Sequence, residues 1–371
     1  MGLAKLRLAA VLICSALPLA ACVEGINAAD ADILPAEYEA AEVDADENSH
    51  SETLNAEVLN VDRINFVDER VELVSLVFRL AGRREHNDRL TEYQRGLDEA
   101  FAKFRDHQLV VYTRENLAFG YCCILHMAIH LEETEQGFIT RDNIDFLLED
   151  VGGVYTWTGE KAAEFVGLLN DFYNETNFAE FFRGSMPYYL EISADFYEQL
   201  LGEVNLEWFR QFGVNPAYMR AVVSPSSGGF AYAGMAFGEG DDIIYAAIPV
   251  TDNFWRFHRL IIHEFSHAVG NPIGEAWYAE NEEFRQWSDS TVDLRRMPFY
   301  PNGLIIAREY VTRAFTVLYM AENSERSIAH YLREEFLRGF HYIEYVYAMI
   351  AEHEWIGIDD TEAFVAALMN R

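Results

Sequence analysis

His263, Glu264 and His267 stand in H-E-x-x-H order within the run Leu260-Ile-Ile-His-Glu-Phe-Ser-His-Ala-Val269. On a helix, histidines at i and i+4 share one face about one turn apart. Their imidazoles can hold one Zn²⁺, and Glu264, rotated by about 100° from His263, can reach a water beside that ion. These are the residues of metal-assisted hydrolysis, with the glutamate as general base. Leu260, Ile261, Ile262, Phe265, Ala268 and Val269 are all uncharged, so the run belongs to a dry interior. A His-Glu-His cluster is costly to bury there without a partner.

A catalytic zinc site needs a third protein ligand. The longer pattern H-E-x-x-H-x-x-G-x-x-H fails at its last position, which is Ile273. Glu275, Glu280, Glu282 and Glu283 lie in an acidic stretch that reads as solvated. Glu309 sits instead in an apolar helical run, residues 304–320, whose charges are Arg308, Glu309 and Arg313. A carboxylate inside such a helix wants a cation. Zn²⁺ serves, with Arg313 steadying the carboxylate from behind. Arg313 alone also serves, as an i,i+4 ion pair.

The elements that must position these residues are mostly helical. Thr251 or Asp252 can start the metal-binding helix, and Gly270-Asn271-Pro272 reads as its stop, giving residues 253–269; Asn271, just past the end, can orient a ligand or cap the turn, and the turn is the expected role. Ahead of it, residues 219–223, 230–237 and 243–250 are rich in β-branched, aromatic and small side chains, with turns at 225–229 and 238–240. They predict a small antiparallel sheet, and 230–237 is the candidate edge for aligning an extended peptide. Helices follow at 275–288, 304–320, 327–352 and 361–370. Earlier in the chain, residues 57–66 read as a strand. Asp68 caps a helix ending at Leu80 and Gly82, and helical patterns cover 88–107, 115–131, 160–183 and 186–212. The expected fold class is α+β, mostly helical. A small antiparallel sheet, the H-E-x-x-H helix and a second ligand-bearing helix follow one another in zincin-like order.

Composition narrows the function classes. The chain has 371 residues and a formal charge of −33, from 28 basic and 61 acidic side chains. Nucleic-acid phosphates and anionic lipid headgroups both demand the opposite sign. Lys5 and Arg7 precede an apolar stretch, Leu8 to Leu19, and Leu19-Ala20-Ala21-Cys22 reads as a lipobox with Cys22 as the lipidated residue. Residues 1–21 are then a lipoprotein signal and 22–55 a flexible acidic tether. A helical part, 56–215, and the metal-binding part, 216–371, complete the chain. The expected location is the cell envelope, with the membrane touched only through the N-terminal lipid. After processing only Cys122 and Cys123 remain, which reads as packed side chains rather than a disulfide scaffold.

Two weaker constellations stand outside this set. His126 and His130 repeat the i,i+4 spacing one turn after Cys122 and Cys123, without a glutamate between them. His330, His341, Tyr342, Tyr345 and His353 follow the second ligand helix and include candidates for stabilising an oxyanion. No P-loop, dinucleotide fingerprint or G-x-S-x-G elbow occurs.

The chain resembles the bacterial domain of unknown function 4932. The likeness rests on Val71-Glu-Leu-Val-Ser-Leu-Val-Phe-Arg-Leu-Ala81, Asn177-Phe-Ala-Glu-Phe-Phe182, Ser227-Gly-Gly-Phe230, Ile244-Tyr245, His263-Glu-Phe-Ser-His267 with Asn271-Pro272, and Glu309 with Arg313-Ala314. It implies a gluzincin-like centre with His263, His267 and Glu309 around zinc, and it supplies no substrate. The expected activity is that of an exported, lipid-anchored zinc metallopeptidase acting on a peptide or protein, with Glu264 as general base. The competing expectation is a non-enzymatic surface lipoprotein that binds a partner and keeps a structural or degenerate metal site.

Overall fold

The segment Ile243–Pro249 is apolar throughout, and a strand buried on both faces belongs in the middle of a sheet. The computed structural model describes residues 67–87, 91–117, 121–134, 137–140, 157–196, 204–228, 232–236, 243–250, 254–290 and 302–352, and in it this segment is the central strand. In chain order, helices α1 (Glu69–Leu80), α2 (Arg84–Asn87), α3 (Glu92–Ala100), α4 (Gln108–Asn116) and α5 (Tyr121–Ile129) lead into an antiparallel hairpin, β1 (Leu131–Thr134) and β2 (Gly137–Thr140). Helices α6 (Gly159–Thr176), α7 (Phe178–Gly184) and α8 (Met186–Phe196) precede the sheet strands β3 (Met219–Ser224), β4 (Tyr232–Ala236) and β5 (Ile243–Pro249). The chain continues through α9 (Phe254–Glu280), α10 (Glu282–Ser290), α11 (Gly303–Asn323), α12 (Ile328–Leu337) and α13 (Ile343–Glu352).

The sheet separates two cores. Met219, Ala221 and Val223 of β3, with Ile244, Ala246 and Ile248 of β5, join the core built around α9 and α11. Their alternates Val222, Tyr245 and Ala247 join the core of the N-terminal helices. This period-two division puts helices on both faces of the sheet. One buried polar knot ties the N-terminal layer to the turn after β3. Glu72 of α1 accepts from Ser224 Oγ (2.7 Å), Tyr93 Oη (3.3 Å) and the Ser226 amide (3.4 Å), while Gln94 Nε2 donates to the carbonyls of Pro225 and Ser227.

Several expectations hold and several need correction. Asp68 caps α1 by accepting from the amides of Arg70 and Val71, and Gly82 follows it with φ 78°. The three strands fall where composition puts them, but their sheet is mixed rather than antiparallel. β4 pairs antiparallel with β5, whereas β3 pairs parallel with the other side of β5. The apolar β5 takes the middle, so consecutive strands β3 and β4 are not neighbours. The helix expected over 115–131 is broken between α4 and α5 and yields to β1 at Leu131. Asn170 of α6 bonds both the amide and the carbonyl of Phe138, holding the hairpin from a helix distant in sequence. The strand expected at 57–66 and the helix expected at 361–370 lie outside the described residues.

The helix that carries His263 and His267 departs furthest from its expected bounds. Gly270-Asn271-Pro272 does not stop it; α9 runs on to Glu280, so both histidines are mid-helix. A Cβ on Gly270 would lie 2.4 Å from Thr312 Oγ1 and 2.7 Å from Thr312 Cα, and one on Gly274 would lie 2.7 Å from Arg308 Cα. These glycines allow α9 and α11 to touch backbone to backbone, a role that resembles a helix stop when read along one segment. Pro272 costs the helix one internal hydrogen bond. Burial of Ile273 and Trp277 beyond it offsets that loss.

Two outcomes test this account. Gly270→Ala should lower the unfolding free energy by roughly 1–3 kcal/mol through overpacking. Gly167→Ala, in open space on α6, should raise it by about 0.5–1 kcal/mol. Urea unfolding of both variants checks the pair, and a stabilised Gly270→Ala would refute the close approach. Burial lifts the Glu72 carboxyl from 4.5 to about 7, against the hydrogen bonds it accepts. A raised folded value means that this group's contribution is complete below about pH 4.5 and is lost as the pH rises through about 7. Relative to wild type, Glu72→Gln should therefore gain stability between pH 5 and pH 8; a pH-independent difference counts against the buried carboxyl.

Candidate metal centre

Helix α9 turns His263 and His267 toward Thr316 and Thr312 of α11, and its Gly270 and Gly274 approach Thr312 and Arg308, so the two helices meet in antiparallel order. The glycine contacts bring the two axes close enough for Glu309 to reach between the imidazoles. His263 Nε2 lies 3.7 Å from Glu309 Oε2, and His267 Nε2 lies 3.6 Å from Glu309 Oε1. All three side chains are buried, and their ligand atoms lie within 4.8 Å of one another. No other group of three or more metal-competent side chains converges in this way among the described residues.

These separations suit an ion better than direct bonding. They exceed hydrogen-bond length, and neither Nε2 atom makes a hydrogen bond among the described residues, although both are buried. Four ligands set tetrahedrally at about 2.0–2.1 Å from one zinc stand roughly 3.3–3.4 Å apart, close to the spacing found here. The donor set, two neutral nitrogens and one carboxylate, therefore fits a divalent metal.

The opposite edge of each ring is held in place. His267 Nδ1 meets Asn271 Oδ1 at 2.9 Å and Thr312 Oγ1 at 3.3 Å. The Thr316 hydroxyl donates to the Thr312 carbonyl, so its lone pair faces His263 Nδ1 at 3.4 Å. With a proton on Nδ1, each ring offers its Nε2 lone pair to the centre. Burial, joined by the nearby Arg313 guanidinium, holds His263 well below its ordinary 6.5. Burial likewise lowers His267 to about 3, against the Asn271 hydrogen bond and with Arg313 and Arg308 adding to the depression. Both rings are neutral at pH 7, as metal ligation requires.

Glu309 has a second partner on its own helix. Arg313 Nε lies 3.2 Å from Glu309 Oε2, so the ion pair and the convergence on the histidines coexist. Glu264 is fully buried, with Oε2 4.0 Å from His267 Nε2, and it stands beside the three-residue group without joining it. Asn271 is not a turn residue: it lies inside α9, one turn beyond His267. The Glu275 position is also corrected. It lies on α9 and pairs with the buried Arg308 at 2.6 Å, and burial lifts its carboxyl to about 7.

The weaker constellations separate from the centre. His126 on α5 and His130 directly after it are buried, His130 Nδ1 bonds the His126 carbonyl at 2.9 Å, and the two belong to no three-ligand group among the described residues. His330 is half-exposed between Arg326 and Glu334. His341 stacks on Phe336, and Tyr342 and Tyr345 are exposed. Cys22, the tether, His353 and the ends of segment 230–237 lie outside the described residues; its described part, β4, is an edge of the sheet. The threonines escaped the sequence reading, yet Thr312 and Thr316 recur at i+3 and i+7 from Glu309; Asn271, read as a turn residue, stands at i+4 from His267. That spacing placed them on the ligand faces.

A family model described as Domain of unknown function (DUF4932) matches residues 55–355. No curated protein and no solved structure matches the chain. No helix among the described residues is long and apolar enough to cross a membrane.

Asn271→Ala should leave the helix in place and weaken divalent-metal binding by roughly 10- to 100-fold, because His267 loses the group that sets its tautomer. Competition with a chromophoric chelator measures the change; wild-type affinity in this variant would remove Asn271 from the centre.

Proposed function

We propose that this chain, which belongs to the DUF4932 family, is a zinc-dependent hydrolase of peptide bonds. Its N-terminus would carry it to the cell envelope and anchor it there through lipid on Cys22. The observation that carries the catalytic reading is the convergence of His263 Nε2 and His267 Nε2 on the Glu309 carboxylate at 3.7 and 3.6 Å, with Glu264 buried beside them.

When bound, Zn²⁺ would supply Lewis acidity to a carbonyl and lower the pKa of a water to about 7. His263, His267 and Glu309 would hold it. Glu264 takes the proton of the attacking water and delivers it to the leaving nitrogen, so one carboxylate acts as base and then as acid. Asn271, Thr312 and Thr316 keep both imidazoles in the ligating tautomer. Arg313 holds the Glu309 carboxylate in place. The centre's low-dielectric surroundings strengthen each of these interactions.

One observation favours a second reading. The three converging side chains are buried, as they would be if the ion were a clamp joining α9 to α11 in a partner-binding lipoprotein. Structural zinc is normally held by four protein ligands, often cysteines, whereas this group has three among the described residues. A buried Glu264 beside a three-ligand group is what hydrolysis needs and a clamp does not.

Glu264→Ala should retain stoichiometric zinc and lose hydrolysis of a peptide library by a factor of at least roughly 10². His263→Ala should lose both. Elemental analysis and peptide mass spectrometry read the two properties separately. Wild-type cleavage by Glu264→Ala would end the proposed mechanism, and a metal-replete wild type with no hydrolytic activity would favour the clamp.

A further inference from the structure

Glu335 lies on α12, outside the ligand helices, and is 1% exposed. Its Oε2 accepts from Arg313 Nη1 at 2.8 Å. Its Oε1 accepts from Arg338 Nη1 at 2.9 Å and from Arg259 Nη2. Three guanidiniums from separate parts of the chain therefore meet on one carboxylate. Arg259 stands one turn before His263 on α9, and its Nη1 also reaches Glu334 at 2.5 Å. Arg313 is the same side chain whose Nε meets Glu309, and its guanidinium lies 4.2 Å over the Phe340 ring.

A guanidinium is planar, and its donors leave in fixed directions. With Nη1 bound to Glu335 and one face against Phe340, Arg313 stands with Nε 3.2 Å from Glu309 Oε2. The Oε1 atom is left facing His267. Without the Glu335 charge, Nη1 loses its carboxylate acceptor, and Glu309, already 3.2 Å from Nε, is the neighbouring acid that can take it up, giving the two-nitrogen arrangement that guanidinium and carboxylate favour. It would then compete with a cation for both oxygens. Helix cohesion alone gives no reason for this cluster, since apolar side chains of similar volume bind helices as well as buried ion pairs do.

We propose that Glu335 is a positioning residue for the metal ligand Glu309: it restrains Arg313 and so keeps one carboxylate oxygen available to the ion. This inference rests on the metal reading given above. The experiment uses the full chain, stripped of metal and titrated with Zn²⁺ against a chromophoric chelator and with Co²⁺ by its visible absorption. Glu335→Gln should raise the Zn²⁺ dissociation constant at least roughly tenfold and alter the Co²⁺ bands, both signs of a changed ligand. Glu335→Asp, which keeps the charge on a shorter side chain, should fall between the two, with a few-fold loss of affinity and bands shifted less than those of Glu335→Gln. Arg338→Gln removes the more exposed of the three guanidiniums and should leave the spectrum unchanged. A folded Glu335→Gln with wild-type affinity and bands overturns the proposal. If Glu335→Gln does not fold, Glu335→Asp decides: a few-fold loss of affinity with shifted bands supports the role, and wild-type values overturn it. A wild type that binds neither ion defeats the metal reading itself, which separates that failure from this one.

Discussion

The contact between α9 and α11 governs the rest of the molecule. Glycine at 270 and 274 lets the two backbones come within reach of a single glutamate side chain, and the histidines lie just before them on the same face. A wider interaxial distance would leave Glu309 short of the imidazoles. A different rotation would turn Thr312 and Thr316 away from the ring Nδ1 atoms. One packing geometry therefore sets ligand separation and ligand tautomer together. The apolar surroundings, among them Ile261, Ile262, Phe265, Val311 and Phe315, keep that geometry dry and rigid.

Charge placement follows from the same contact. A helix-packing core is a poor place for carboxylates, and this one surrounds Glu309 and Glu335 with arginines rather than excluding them. Arg313 connects the two acids, and Arg308 is matched with Glu275 on the facing helix. The histidines remain neutral because burial and these arginines act in the same direction. The centre is thus a neutral nitrogen pair facing one anion, the donor set that a divalent cation neutralises. The N-terminal helices contribute at a distance, closing the opposite face of the sheet and holding the Ser224–Ser227 turn through Glu72 and Gln94.

Much of this architecture was legible from local pattern. The H-E-x-x-H spacing, the isolated carboxylate in the 304–320 run and the β-rich interval before the metal helix are all short-range signals. Each falls in a segment whose type the structure bears out. The errors share one physical origin: they occur where a residue's role is set by a partner distant in sequence. Gly270 reads as a helix stop until α11 is seen against it. Glu275 reads as solvated until Arg308 is placed beside it. Strands β3 and β4 read as neighbours until the apolar β5 takes the position between them.

The sequence by itself determined the helix faces, because residues at i and i+4 must lie one turn apart wherever the helix is placed. His263 with His267 and Glu309 with Arg313 are both of this kind. Tertiary structure alone decided that these faces meet, in antiparallel order and close enough for 3.6–3.7 Å separations, and that Glu335 reaches Arg313 from a third helix. The reason is one of range: helical periodicity is a property of neighbouring peptide units, whereas interhelical distance depends on how side-chain volumes from remote segments fill the space between two axes.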